Sequence, residues 1–478
     1  MLQQKLQQLF GYDEFRPGQK EIIEQLYHKR DCIALLPTGM GKSLCYQLPG
    51  YLFDKPVLIV SPLLSLMQDQ VDQLKQRGEK RVVALNSFLS PNEKTYALHF
   101  LHEYRFIFTS PEMLTQPQVR ERLKQIELSL IVADEAHCIS QWGFDFRPDY
   151  LRIGEILGDT RPPILALTAT ATDSVLSDIK TYLRMNEPYE FIHAIDRENI
   201  KLAKYMFEIK EEKQDWILQH IKSSKGPGII YMSSRKKCDE FSQLLIEQHI
   251  SAASYHAGKD AEDRQFIQQQ FINDDVEWIV ATNAFGMGVH KNNIRQVIHE
   301  SMPANVSNYM QEIGRAGRDG KEALAILLYA EGDEHYAQYI ASEDLPKAVH
   351  VDAYASYVQM QQEPKIMLDT AEVSETAYRV LDYWMKQESI EAVKKRLAKM
   401  TASKLEAVQE MLKIVTTSQC MRQQLVQYFG QTVAQKHAIC CTNCGLDIET
   451  LMESREIAKQ KETLNWDERL RKLLFGYI

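Results

Sequence analysis

Seven consecutive residues, Pro37-Thr38-Gly39-Met40-Gly41-Lys42-Ser43, have the types and spacing to hold a triphosphate. Gly39 and Gly41 let backbone N–H groups close on phosphate oxygens. Lys42 reaches the β- and γ-phosphates, and the Ser43 hydroxyl sits on Mg2+. Thr38, Met40 and Leu44 complete the stretch that would face the nucleotide. A strict phosphate-loop pattern has glycine at position 36, where this chain has Leu36. The stretch LIVADEAHC (130–138) ends an apolar run in Asp134 and Glu135. Beside a phosphate loop, the first carboxylate completes Mg2+ coordination and the second polarises the attacking water. The stretch YMQEIGRAGRDG (309–320) sets Arg315 and Arg318 three apart, on one face if helical, with Gln311 nearby. Guanidinium groups brought to a γ-phosphate from another lobe can be worth ~10³–10⁵ in rate; the alternative is a solvated basic helix face.

Other polar and aromatic residues read as ligand contacts. In FGYDEFRPGQKEII (10–23), Tyr12 or Arg16 can stack on adenine and the Gln19 amide can read its edge; a capped helix with packed aromatics would look the same. Ser61, at the end of the apolar run 57–60, can hold a nucleic-acid phosphate or simply cap a helix. FIFTSPEML (106–114) repeats that pattern. In ALTATAT (166–172), Thr168 and Thr170 can bond to the acidic pair, and His137 can link it to a second lobe. The stretch ISQWGFDFRPDY (139–150) interleaves Trp142, Phe144, Phe146 and Tyr150 with Asp145, Arg147 and Asp149. Bases stacked on such aromatics contribute ~1–3 kcal/mol each, unless the rings anchor the loop on the protein body. His256 ends another apolar segment.

Elements of one kind must position all of these. Apolar runs near 32–36, 57–60, 106–109, 130–133 and 164–168 alternate with amphipathic segments, which predicts an open parallel sheet with helices on both faces. The alternation restarts after a polar linker at 194–200, with strands expected in 226–231, 251–256, 277–281 and 294–300. No second GKS occurs, so the second lobe is not expected to cradle a triphosphate of its own. From about 335 the strand signals fade and helical spacing takes over in 377–387, 389–400 and 403–415. Lys394, Lys395, Arg396 and Lys399 there form a basic cluster, read as a solvated face or a backbone contact.

Composition bounds the rest. At 478 residues, two to four domains are expected. No apolar run approaches the ~18 residues of a membrane span, and the N-terminus has no signal-peptide pattern, so a cytoplasmic location is expected. The net charge of −9 is neutral evidence about nucleic acid, because a basic groove can sit on an acidic body. Of eight cysteines, Cys420, Cys440, Cys441 and Cys444 cluster near the C-terminus, which in a cytosolic chain favours metal over disulfides.

FRPGQ, PTGMGKSLCYQLP, ADEAHCISQWG, DFRPDY, ALTATAT, NAFGMG and QEIGRAGRDG together resemble superfamily 2 helicases, and within them the RecQ family of DNA helicases. The likeness runs almost continuously over 10–330 and more weakly to about 447. It implies an α/β fold with two tandem RecA-like motor lobes (1–197 and 198–340), a small helical zinc-binding domain (341–450) and a tail (451–478). It implies ATP-driven 3′-to-5′ translocation on single-stranded DNA with unwinding in repair and recombination, or, as an alternative, a translocase that remodels or anneals DNA without efficient unwinding. By position it suggests adenine binding by Tyr12, Arg16 and Gln19, catalytic roles for Lys42, Asp134, Glu135, Arg315 and Arg318, and DNA contact by Trp142, Phe146 and Arg147; the residue reading adds Gln311 to the catalytic set and Ser61, Tyr150 and His256 to the DNA contacts. The resemblance places Zn2+ on Cys420, Cys441 and Cys444, with Asp447 fourth and Cys440 as rival. Implied partners are single-stranded and forked DNA and DNA repair proteins, with no membrane, a monomer as working unit, and a nucleoid association if the source is prokaryotic. Two departures stand out: Phe144 where the family often has His, and His290-Lys291-Asn292-Asn293 where it usually has Asp-Lys-Pro-Asp. About thirty residues follow Asp447, too few for the winged-helix and terminal helical domains that many members carry.

Overall fold

A computed structural model describes residues 2–62, 64–86, 89–140, 147–156, 161–286, 291–433 and 439–451. Trp142, Phe144, Phe146, His290 and the tail from 452 lie outside the described residues.

The first sheet holds seven strands: β1 (Cys32–Leu35), β2 (Val57–Val60), β3 (Val82–Leu85), β4 (Phe106–Thr109), β5 (Leu130–Ala133), β6 (Ile164–Thr168) and β7 (Tyr189–Ile192). Their order is β3-β4-β2-β5-β6-β1-β7 and every pairing is parallel. β1, β2, β4, β5 and β6 are buried at every position. That burial explains their unbroken apolar runs, because helices cover both faces of a parallel sheet. The phosphate stretch follows β1 and the acidic pair follows β5. Both therefore emerge at the carboxyl edge of the sheet, where ligands of such folds bind.

The second sheet holds β8 (Ile200–Phe207), β9 (Gly228–Tyr231), β10 (Ala252–Tyr255), β11 (Trp278–Ala281), β12 (Gln296–His299) and β13 (Ala323–Ala330), again all parallel, in the order β10-β11-β9-β12-β13-β8. The pattern reading did not single out β3, β7, β8 or β13. For β13 the signal was present: its eight residues, ALAILLYA, are all buried and pair in full with β8. β7, at a sheet edge, alternates between half-buried and exposed positions and carries a weaker signal.

The C-terminal region is helical. Where sequence spacing predicts two helices, at 389–400 and 403–415, the structure has one of 27 residues, Ile390–Thr416. Thr401, Ala402 and Ser403 include no glycine or proline, and the Thr401 hydroxyl donates to Leu397 O at 3.0 Å within the helix. The two halves of this helix have different neighbours. Val393, Leu397 and Met400 join the hydrophobic core of the first lobe, together with Val351, Met367 and Leu381 of the preceding helices. Val408, Met411, Ile414 and Val415 join the core of the second lobe. Among the described residues, no helix is long and apolar enough to cross a membrane.

Proline inside a helix costs ~3 kcal/mol or more. Ala402 is exposed, so Ala402→Pro removes no core contact. A clear drop in melting temperature and loss of helical ellipticity is expected; a variant as stable as the parent would mean that two helices meet there.

Candidate active site and cysteine cluster

The turn after β1 needs glycine. Gly39 and Gly41 have φ of +90° and +75°, a region L-residues with a Cβ avoid. A Cβ on Gly41 would also lie 2.7 Å from the Gln19 amide nitrogen. Gln19 is buried and donates from that nitrogen to Met40 O and Gly41 O at 2.9 and 3.1 Å, while its oxygen accepts from Arg16 N. Arg16 donates to Gly39 O. The amide expected to read a base edge therefore braces the phosphate loop here. Tyr12 is half-exposed and open to a stacking partner.

Lys42 Nζ lies 3.1 Å from Glu135 Oε1, and both side chains are largely withdrawn from water. Glu135 takes left-handed backbone angles (φ 47°, ψ 48°), an uncommon conformation for a non-glycine residue that turns its carboxylate back over the loop. Burial would raise its carboxyl, but Lys42, His137 and Arg315 together outweigh burial and hold it below the usual range. Asp134 moves the other way. Burial first, then the Glu135 charge, lifts its carboxyl to about 6, against the pull of Lys42, the Glu135 N–H and Ser61. Glu135 Oε2 is buried, stands 3.5 Å from His137 Nδ1 and has no hydrogen-bond partner among the described residues.

A polar chain leads from this pair across to the second lobe. His137 Nδ1 lies 3.0 Å from Thr168 Oγ1, Thr168 donates to Thr170 O at 2.9 Å, and Gln311 of the second lobe donates to Thr170 Oγ1 at 3.1 Å. Thr38 closes the same seam by donating to Gly314 O at 2.9 Å. His137 thus connects to the other lobe through two threonines.

Arg315 and Arg318 are not on a helix face as expected. The helix Val306–Ile313 ends before them, and Gly317 turns the chain at φ +55°. Arg315 donates to Gly286 O. Arg318 packs against the phosphate loop, its Cγ 3.3 Å from where a Cβ on Gly39 would sit. Burial, with the like charges of Arg315 and Arg197, pushes Arg318 down to about 9. An anion between these arginines would relieve that cost.

Three expected DNA contacts are engaged within the protein. Tyr150 is fully buried and its hydroxyl donates to Asp134 O at 2.6 Å, so it shores up the acidic turn. Ser61 is buried and donates to Asp134 Oδ2 at 3.4 Å. His256 is buried with Nε2 3.0–3.1 Å from both Asp239 oxygens. Arg147 is half-exposed, donates to Pro62 O at 2.8 Å and pairs with Glu112. In the basic cluster, Lys394 pairs with Asp352, and Arg396 with Glu388 and the Trp384 ring.

The cysteines converge. The sulfurs of Cys420, Cys440, Cys441 and Cys444 all lie within 4.8 Å of one another, with separations from 3.4 Å. Four thiolates at about 2.3 Å from one zinc ion stand roughly 3.8 Å apart, so the set fits a closed tetrahedral site. The fourth member is Cys440, not Asp447, whose carboxylate accepts from Glu449 N at 3.0 Å and caps a short turn. Adjacent cysteines can share the site because the chain bends at 439–440 before Cys441 pairs with Leu202 of β8.

Two parallel-sheet lobes, with a phosphate loop on one and Arg318 of the other packed against it, define a tandem RecA-like helicase core. Family models agree: DEAD/DEAH box helicase matches residues 16–179, helicase conserved C-terminal domain 210–320, and RecQ zinc-binding 379–446. The probable ATP-dependent DNA helicase RecS of Bacillus subtilis is 41% identical over 99% of this chain and 97% of its own length. The ATP-dependent DNA helicase RecQ of Haemophilus influenzae is 39% identical over 71% of this chain and 55% of its length, so the chain spans about half of that relative. The chain belongs to the RecQ family of ATP-dependent DNA helicases, and it is an enzyme that uses ATP. Similar folds occur in the helicase MrfA bound to DNA (20% identical, TM-score 0.58, 71% of this chain and 52% of that one) and in S. cerevisiae Dbp5 bound to RNA and ADP BeF3 (16%, 0.58, 71% and 90%).

Metal analysis of purified variants checks the cysteine site. Cys440→Ser and Cys444→Ser should each lose zinc, and Asp447→Ala should retain it. Retention in Cys440→Ser together with loss in Asp447→Ala would restore the carboxylate as fourth ligand.

Proposed function

We propose that the chain is a 3′-to-5′ DNA helicase that hydrolyses ATP in the cleft between its lobes. The observation that carries this reading is the polar seam that runs from Lys42 and Glu135, 3.5 Å from His137, on through Thr168 and Thr170 to Gln311, with Arg318 against the phosphate loop. A triphosphate on the loop takes the Lys42 ammonium and releases Glu135, whose unpartnered Oε2 is then placed to orient the attacking water. The Ser43 hydroxyl and Asp134 carboxylate are the donors suited to Mg2+, a hard cation that takes oxygen ligands. When bound, Mg2+ neutralises charge developing on the β- and γ-phosphates. Arg315 and Arg318 reach the γ-phosphate from the second lobe, so ATP draws the lobes together and hydrolysis lets them part. Tyr12 and Arg16 are assigned to the adenine.

Single-stranded DNA is assigned to a cavity of about 1190 Å³ lined by both lobes and the helical domain. Pro62 and Ser110, from the loops after β2 and β4, line it with Arg147, Arg264 of the second lobe, and Tyr378 and Lys386 of the helical domain. Backbone and side-chain donors on such loops hold phosphates without reading sequence.

Strand displacement with ATP and Mg2+ on matched 3′-tailed and 5′-tailed duplexes checks this. Opening of the 3′-tailed DNA alone, abolished in Lys42→Ala, is expected. DNA-stimulated ATP turnover with no displacement would favour a translocase that remodels DNA, and turnover retained in Lys42→Ala would overturn the site.

A further inference from the structure

The joint between the lobes is gripped by the C-terminal domain. Arg422, in the first turn of the helix Met421–Tyr428, is buried at 3% exposure. It pairs with Asp196, donates to Arg197 O at 3.0 Å and donates to Ile200 O. Gln431, just beyond that helix, accepts from Ile195 N at 2.9 Å and donates to His193 O at 3.3 Å. Two side chains of one domain thus hold most of the segment joining β7 to β8.

The grip extends to the arginine turn. The Arg197 guanidinium donates to Gly317 O at 2.7 Å and Ala316 O at 3.3 Å, and the Asn199 amide donates to Gly317 O at 2.8 Å. Gly317 lies between Arg315 and Arg318. On the same side, Arg422, Leu425 and Val426 line a cavity of about 40 Å³ with Thr38, Thr170 and Gln311. The clamp and the inter-lobe seam thus face one cavity.

We propose that Arg422 is a positioning residue for ATP hydrolysis: by fixing the linker through Asp196, Arg197 and Ile200, it fixes the turn that presents Arg315 and Arg318 to the nucleotide. This rests on the reading of those two arginines as γ-phosphate ligands. The warrant is a contiguous set of hydrogen bonds from the clamp to the turn. Among the described residues no hydrogen bond or ion pair joins Arg422 or Gln431 to the phosphate loop, whose Thr38 only shares the cavity with Arg422, so binding of ATP and its hydrolysis should respond differently.

The test is DNA-stimulated ATP turnover by the full chain. Arg422→Lys keeps the charge but loses the forked donor geometry. Gln431→Ala and Asp196→Asn loosen the linker from other sides and serve if Arg422→Lys does not fold. A misplaced group can cost on the order of a hundredfold in rate, so kcat should fall by roughly ten- to a hundredfold with KM for ATP within about twofold, at unchanged zinc content and below the melting temperature of each variant. In an Arg318→Ala background the same changes should have little further effect, because both act on one turn. Unchanged kcat in the folded variants, or losses fully additive with Arg318→Ala, would overturn the proposal. Failure of the underlying reading would look different: Arg318→Ala itself would turn over ATP normally.

Discussion

An ammonium and a carboxylate set 3.1 Å apart, each with little access to water, organise this molecule. Removing one partner of a buried pair costs ~3–5 kcal/mol, because the other is left uncompensated. Lys42 and Glu135 are therefore held together in this structure, and under the proposed function a triphosphate on the loop is the anion that would compete for Lys42. The left-handed backbone at Glu135, the Tyr150 hydroxyl on Asp134 O and the Gln19 amide on the loop carbonyls all keep this pair in register. The same turn sends a polar chain to Gln311 of the other lobe.

The C-terminal region serves this arrangement as a frame. One helix of 27 residues contributes to the cores of both lobes, and the next helix holds the linker between them. The cysteine loop is tied to the start of the second lobe: Leu202 N of β8 donates to Cys440 O, and Lys204 N to the Thr442 hydroxyl. A closed metal site would stiffen that seam without touching the nucleotide.

Much of the motor was legible in the sequence because its signals are local. Glycines at positive φ, a lysine beside them, and two acids after an apolar strand carry their meaning within a few residues. What escaped depends on contacts between distant segments. Ser61, Tyr150 and His256 are polar or aromatic residues next to strand ends, and only the packed structure reveals that Asp134 and Asp239 consume them. Asp447 fitted a metal spacing, yet its carboxylate is taken by a neighbouring N–H, and a bend at 439–440 lets Cys440 in. Arg315 and Arg318 looked helical by spacing, but the helix stops at Ile313 and the turn through Gly317 lays Arg318 on the phosphate loop. The clamp by Arg422 had no sequence signal, since its partners lie more than two hundred residues away.

The central claim is that the second lobe completes the hydrolytic site formed on the first. Single-turnover hydrolysis of ATP by Arg318→Ala, set beside its affinity for a non-hydrolysable ATP analogue, tests this most directly. The account predicts that hydrolysis falls on the order of a thousandfold while the analogue still binds, because Lys42 and the Gln19 bonds that brace the phosphate loop belong to the first lobe. Hydrolysis at the parental rate would mean that the first lobe works alone, and would contradict the account.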